Sequence, residues 1–127
     1  MTSPAPIDSR VLADTLARAV SDKKGEDIVL MDMTPVVDFT DVFLLATGAN
    51  RRHVLALADE VRVVAREQFG LHALGREGTV GARWVLVDFG SVVVHIFDVK
   101  ERQTYNLDAL WSDAPRLPAP EADPPTA

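Results

Sequence analysis

The clearest amphipathic pattern in the sequence lies between Asn50 and Gly70, and it limits the folds that this chain can adopt. Apolar residues recur there at the three- and four-residue spacing of one helix face, namely Val54, Leu57, Ala58, Val61, Val64, Ala65 and Phe69. Asn50 is a favoured N-cap and Gly70 a favoured C-terminal cap, so the predicted helix has defined ends. Charged residues fill the opposite face, which we expect to be solvated. Because an apolar stripe has to be buried against another element, the helix predicts a layered, compact domain.

The remaining patterns predict a second helix and several short strands. Apolar residues at helical spacing, with Asp8 or Ser9 as a cap, predict a helix over residues 9–22. Apolar runs that end at turn-forming residues predict strands over residues 28–33, 42–47, 84–87 and 92–97, with a weaker strand over residues 71–74. The glycines of residues 75–81 indicate a loop, and Gly90 indicates a tight hairpin. Short helical segments are expected over residues 100–103 and 105–111.

This order of elements predicts a single α/β or α+β domain, in which helices flank a mixed β-sheet. We expect the domain to span residues 9–112, after a flexible N-terminus of residues 1–8. Residues 113–127 are rich in proline, acidic and small residues. A segment of this composition does not bury a core, so the sequence predicts a disordered tail.

Composition excludes several classes of protein. The chain contains no cysteine, which rules out disulfides, thiolate metal sites and a cysteine nucleophile. No apolar run has the length of a membrane span and the first residues do not form a secretory signal, so we expect a cytoplasmic protein. The formal net charge of -6 argues against wrapping naked nucleic acid and suits a basic partner. The same charge also serves simply to keep a protein soluble.

The sequence contains no convincing catalytic or metal-binding motif. Residues 46–51 lead from a strand into a helix, yet they lack the lysine and hydroxyl residue of a phosphate loop. None of the three histidines is paired at the spacing of a helical zinc site, so neither a metal nor a cofactor is expected. Ser91, His95 and Asp88 could be drawn as a triad, but this serine lies in a hairpin turn rather than at a nucleophile elbow.

Aromatic residues concentrate in the predicted hairpin. Trp84, Phe89 and Phe97 lie there, close in sequence to Glu77 and Asp88. Aromatic side chains surrounded by a few charged residues are typical of a protein-binding hot spot. The alternative is that these rings fill the hydrophobic core, which for any single ring is the more frequent case. In the last strand, alternation places Val93, His95 and Phe97 on one face of the sheet.

Four ordered stretches of the sequence resemble one known family. They are Asp41-Val42-Phe43-Leu44-Leu45-Ala46-Thr47-Gly48; Arg51-Arg52-His53-Val54 followed by Ala58-Asp59-Glu60-Val61; Glu77-Gly78 followed by Trp84-Val85-Leu86-Val87-Asp88-Phe89-Gly90 and Val92-Val93-Val94-His95-Ile96-Phe97; and Arg102, Tyr105, Leu107, Leu110 and Trp111. Each stretch alone is a weak signal, but the ordered set resembles the ribosomal silencing factors, the Iojap-like family. The resemblance covers residues 11–113.

The resemblance implies a fold and a function. It implies a nucleotidyltransferase-like topology without a nucleotidyl-transfer site, and therefore a protein that is not an enzyme. It implies binding to ribosomal large-subunit protein fourteen at the subunit interface, which sterically blocks joining of the small subunit and represses translation when nutrients or energy run short. A homodimer is also implied. The alternatives are a small nucleotidyltransferase-like enzyme and an interaction module with another partner.

The resemblance also implies a partner-binding surface. Carried onto this sequence, the surface consists of Glu77, Trp84, Asp88, Gly90, His95, Arg102 and Tyr105. In this interpretation Trp84 is the apolar anchor, and Glu77 and Asp88 meet basic side chains of the ribosomal protein. Gly90 permits close approach of the hairpin. His95 donates a hydrogen bond or holds the hairpin face, and Arg102 pairs with an acidic group.

Overall fold

The computed structural model describes residues 7–78, 81 and 83–119, without the side chains of Arg76, Glu77, Asp108 and Leu110. The four helices of this part of the chain are α1 (Ser9–Asp22), α2 (Arg51–Phe69), α3 (Val99–Thr104) and α4 (Leu107–Leu110). Its strands are β1 (Glu26–Asp32), β2 (Val42–Gly48), β3 (Gly75–Gly78), β4 (Trp84–Asp88), β5 (Val92–Asp98) and β6 (Arg116–Leu117). The predicted α+β domain with a mixed sheet is confirmed.

The sheet has the strand order β3-β4-β5-β2-β1-β6. Among the described strands, only β2 and β5 pair in parallel, with Val42 opposite Val92 and Gly48 opposite Asp98. All other neighbouring strands are antiparallel. The centre of the sheet is therefore formed by two strands that are distant in sequence, and each is almost entirely buried.

Helices α1 and α2 cover one face of the sheet. Their apolar stripes pack against the side chains that alternate toward this face, which include Val85, Val87, Val94 and Ile96. The helix ends follow the sequence signals: Asp8 accepts hydrogen bonds from the first turn of α1, and Asn50 accepts one from His53 N–H. Gly70 ends α2 with φ 63°, a left-handed conformation that glycine adopts without strain.

Two expectations from the sequence are corrected. Residues 71–74 do not form a strand. The strand at this place is β3, which begins at Gly75 in the segment predicted as a loop; Gly75 pairs with Asp88 and Gly78 pairs with Val85. Cross-strand pairing with β4 outweighs the weak strand preference of these glycines, because context dominates over intrinsic propensity in sheets.

The second correction concerns the predicted disordered tail. Arg116 and Leu117 form β6 and pair with Met31 and Leu30 of β1, while Ala114 is buried in the apolar cluster beside β1. The edge of β1 offers unpaired backbone groups that even a short, proline-flanked segment can satisfy. Residues 1–6 and 120–127, to which the flexible N-terminus and the rest of the predicted tail belong, lie outside the described residues.

Within the described ranges, no helix combines the length and the apolar composition needed to cross a membrane.

Substitution of Gly48 tests the junction between β2 and α2. A Cβ atom on Gly48 would lie 2.8 Å from Val54 Cγ2 and 2.9 Å from Val54 N, closer than real Cβ contacts allow. We expect Gly48→Ala to lower the free energy of unfolding by about 1–3 kcal/mol, measured by urea denaturation. Gly75→Ala is the matched control, because no atom lies within 4 Å of its Cβ position. An equal loss in both variants would contradict the assigned contact.

Candidate protein-binding groove on the open face of the sheet

The face of the sheet opposite α1 and α2 carries a groove of about 610 Å³. Strand alternation directs Trp84, Leu86 and Asp88 of β4 to this face, beside Val93 and His95 of β5. The groove is lined by Phe39, Phe43, Leu74, Gly75, Trp84, Leu86, Asp88, Gly90, Val93, His95, Leu107 and Trp111. A concave, mostly apolar surface with few polar groups is typical of a binding site.

Stacked and edge-on rings form the floor and one wall of the groove. The Trp84 ring stacks on Phe97 with centroids 5.0 Å apart, and Tyr105 packs against it at 5.1 Å. Phe43 meets the His95 ring edge-on at 4.6 Å and lies 6.1 Å from the Trp111 ring. These contacts hold the rings in place before any partner arrives, which lowers the entropy lost on binding.

The rim of the groove exposes large apolar side chains. Phe39 is 65% exposed and Leu74 is 75% exposed, while Tyr105 is 47% exposed beside Trp84. Leu74 is held in position because its N–H donates to Asp88 O at 2.7 Å and its Cδ1 atom lies over Gly90. Apolar side chains that cluster at the edge of an apolar groove mark an interaction surface rather than isolated exposure.

Asp88 is the only charged residue that lines the groove within the described part of the chain. Its Oδ1 atom accepts a hydrogen bond from Gly90 N–H at 2.7 Å, and Gly90 turns the hairpin with φ 84°. Among the described residues, no lysine or arginine lines the groove beside it. The groove therefore presents a negative charge at the edge of an apolar surface, which favours a basic partner.

His95 is the buried polar group of the groove. Its side chain is 5% exposed, and its Nδ1 atom lies 3.3 Å from Trp84 Nε1. Because the indole nitrogen of tryptophan only donates, His95 Nδ1 accepts and the proton of the neutral ring is on Nε2. Nε2 is buried and has no hydrogen-bond partner among the described residues. Burial lowers the pKa of His95 to about 4, so the ring is neutral at physiological pH.

The structure brings together most of the site residues that the resemblance implied. Trp84, Asp88, Gly90 and His95 line the groove, and Tyr105 packs on Trp84.

Arg102 lies outside the groove: its Nη1 atom donates to Thr47 Oγ1 at 3.1 Å and its guanidinium lies 5.9 Å from the centre of the Phe97 ring. Glu77 belongs to β3, opposite Leu86, and its side chain lies outside the described part of the chain.

Several groove residues were not recognised from the sequence. No sequence pattern assigns Phe39 to an element, and the sequence predicts Leu74 only as the end of a weak strand. A phenylalanine between Asp38 and Thr40 is an apolar residue without a periodic partner, and that isolation was the available signal. Leu86 could have been assigned to the face of Trp84 from strand alternation alone.

The alternative chemistries drawn from the sequence are not supported by the described geometry. The Nδ1 atom of His95 accepts from Trp84 rather than facing Ser91, and no group of three or more potential metal ligands occurs among the described residues. At the start of α2, Ala49 N–H donates to His53 Nδ1 at 2.8 Å and His53 N–H donates to Asn50 at 2.9 Å. Two backbone N–H groups that could bind a phosphate at the start of α2 therefore already donate to side chains of this chain.

These features define a class of protein: a small α+β domain that presents an apolar, acidic-edged groove on the open face of its sheet. The chain belongs to the ribosomal silencing factor family, because the family profile "Ribosomal silencing factor during starvation" matches residues 6–127.

A ribosomal silencing factor from Bacillus subtilis is 46% identical over 99 residues, which cover 78% of this chain and 83% of that protein. One from Halalkalibacterium halodurans is 42% identical over 111 residues, covering 87% of this chain and 94% of that protein. A crystal structure of a Chromobacterium violaceum protein superposes with a TM-score of 0.79 at 32% identity and covers 95% of this chain and 93% of its own.

The pKa of His95 predicts how stability depends on pH. The folded protein holds His95 neutral down to about pH 4, whereas an unfolded histidine takes up its proton near pH 6.5. The unfolded state therefore binds more protons between these values, and stability falls as the pH is lowered through this window. We expect His95 to account for about 3 kcal/mol of lost stability between pH 7 and pH 4.

Urea denaturation of the wild type and of His95→Phe between pH 7 and pH 4.5 isolates this contribution, since the other titrating groups are common to both proteins. The stability of the variant should depend less steeply on pH. A constant difference between the two proteins across the window would show that His95 is not held neutral by burial.

Proposed function

We propose that this protein acts in the cytoplasm by binding the large ribosomal subunit through ribosomal protein fourteen, and that the bound protein blocks joining of the small subunit. Translation would then fall when nutrients or energy are limited. The observation that carries the proposal is the groove, an exposed apolar and aromatic surface on a member of the ribosomal silencing factor family. The groove is the surface through which docking would occur.

Apolar contact would supply most of the binding energy. Trp84 is half-buried and braced by Phe97 and Tyr105, so a partner that covers its exposed part gains contact area with little loss of side-chain entropy. Buried aromatic residues at the centre of an interface are its most frequent hot spots. Trp84 would therefore be the anchor of the complex.

Charge would orient the complex. Asp88 lines the groove, where the described residues include no lysine or arginine, and the chain carries a net charge of -6. Ribosomal proteins commonly present lysine and arginine because they neutralise RNA phosphates. Complementary charge of this kind speeds encounter and fixes the orientation of docking.

Other residues of the implied surface would act less directly. Gly90 would keep the hairpin narrow, because a side chain there would have to adopt φ 84°. Arg102 would support the site through its contacts with Thr47 and with Phe97, the ring on which Trp84 stacks. Tyr105 would add contact area beside the anchor. Glu77 would lie at the β3 edge of the same surface.

Silencing by this route requires occupancy and no turnover. A folded domain seated at the subunit interface occupies volume that the small subunit would otherwise fill. The extent of silencing is then set by the affinity and concentration of the protein. In this proposal the protein is not an enzyme and uses no cofactor.

Gradient sedimentation tests the proposed function. Purified protein is mixed with isolated large subunits, small subunits are then added, and the peaks are compared with those of a mixture without the protein. We expect the protein to travel with large subunits and the joined-ribosome peak to shrink. Protein that stays at the top of the gradient, with joining unchanged, would refute the proposal.

Trp84→Ala should weaken binding to large subunits by about thirtyfold or more, because truncation removes the proposed anchor of the interface. Affinity is measured by sedimentation over a range of large-subunit concentrations. Val11→Ala serves as the control, since Val11 is a 53% exposed apolar residue of α1, away from the groove. Thermal unfolding checks that both variants fold. Equal binding by Trp84→Ala and the wild type would remove Trp84 from the interface.

A further inference from the structure

In the part of the chain that the structure describes, the lining of the groove includes a buried hydrogen-bond donor without an acceptor. His95 belongs to the lining of the groove, and its buried Nε2 atom carries the proton of the neutral ring and has no hydrogen-bond partner among the described residues. A buried donor without an acceptor costs folding free energy that an apolar residue of similar shape would not cost. Its placement in a proposed binding groove therefore points to an acceptor supplied from outside the chain.

We propose that His95 selects the segment that docks in the groove: its Nε2–H donates a hydrogen bond to a backbone carbonyl that a large-subunit ribosomal protein presents beside an apolar side chain. This inference rests on the proposed function and deepens it, because it states what the docked segment must carry.

The surroundings of His95 determine the class of acceptor. Phe43, Trp84 and Phe97 surround its ring, so an acceptor that reaches Nε2 lies in an apolar setting. A phosphate or a carboxylate would lose its hydration there and would also face the negative charge of Asp88. A backbone carbonyl is neutral and comes with an adjacent side chain that can fill the apolar groove. This reasoning favours a protein segment over ribosomal RNA.

Docking would require a small local rearrangement. Nε2 has essentially no solvent exposure, so a lining side chain has to shift before an acceptor can approach. Changes of side-chain rotamer at an interface are common even where the backbone stays fixed. The rearrangement would add selectivity, since a segment without an acceptor would gain nothing from displacing that side chain.

Two substitutions separate the two nitrogens of His95. In His95→Asn the side-chain oxygen can replace Nδ1 as the acceptor for Trp84, but nothing reaches the position of Nε2. In His95→Gln the longer side chain places its amide N–H near the position of Nε2. We expect His95→Gln to bind large subunits within about threefold of the wild type and His95→Asn to bind about tenfold more weakly.

His95→Phe serves as a control that separates weaker binding from loss of folding. It removes the buried unpaired donor and also the acceptor of Trp84 Nε1, two effects of opposite sign, so we expect its thermal stability at pH 7.5 to stay close to that of the wild type. Its binding should nevertheless be about tenfold weaker. Loss of binding without loss of stability is a result that a purely structural role for His95 does not produce.

The outcomes distinguish this inference from the proposed function. If the wild type does not bind large subunits, the proposed function fails and the inference fails with it. If the wild type binds and all three variants bind equally well, or if Gln and Asn weaken binding equally, only the role of Nε2 is overturned. If sedimentation velocity shows that the substitutions alter self-association and leave subunit binding unchanged, the occupant is a second copy of the chain, which also overturns the inference.

Discussion

The parallel pairing of β2 with β5 is the constraint on which the rest of the structure depends. It joins two strands that are distant in sequence and sets every cross-strand neighbour at the centre of the sheet. Alternation along β5 then sends Val94 and Ile96 toward the helices and Val93, His95 and Phe97 toward the open face. A shift of one residue would exchange the two sets, burying His95 under the helices and removing it from the groove.

The two faces of this sheet illustrate how a small domain combines stability with recognition. The helix-covered face is packed mainly with aliphatic side chains, whereas the other face contains a group of aromatic rings that contact one another. Aromatic contacts keep this second face ordered although it is only partly covered. In the described part of the chain, residues of β4 and β5 line the groove, and Leu107 of the short helix α4 borders it together with Trp111.

Capping residues in the sequence correctly predicted the ends of those helices that are stabilised by residues close in sequence. The cap of α2 at Asn50 and its end at Gly70 are examples, because the stabilising hydrogen bonds lie within a few residues. Strands β3 and β6 were missed because their stability comes from β4 and β1 and not from their own composition. Within the site, alternation located His95, whereas Phe39 and Leu74 come to line the groove only through tertiary packing.

Photo-crosslinking from the groove tests the central claim most directly. A photoreactive phenylalanine analogue placed at Phe39, on the rim, should crosslink to ribosomal protein fourteen when the protein is bound to large subunits. The same analogue at Gln68, an exposed position of α2 on the opposite side of the sheet, should not. Mass spectrometry of the crosslinked protein decides the outcome. Crosslinks to protein fourteen from Gln68 alone, or from Phe39 only to other proteins, would contradict docking through the groove.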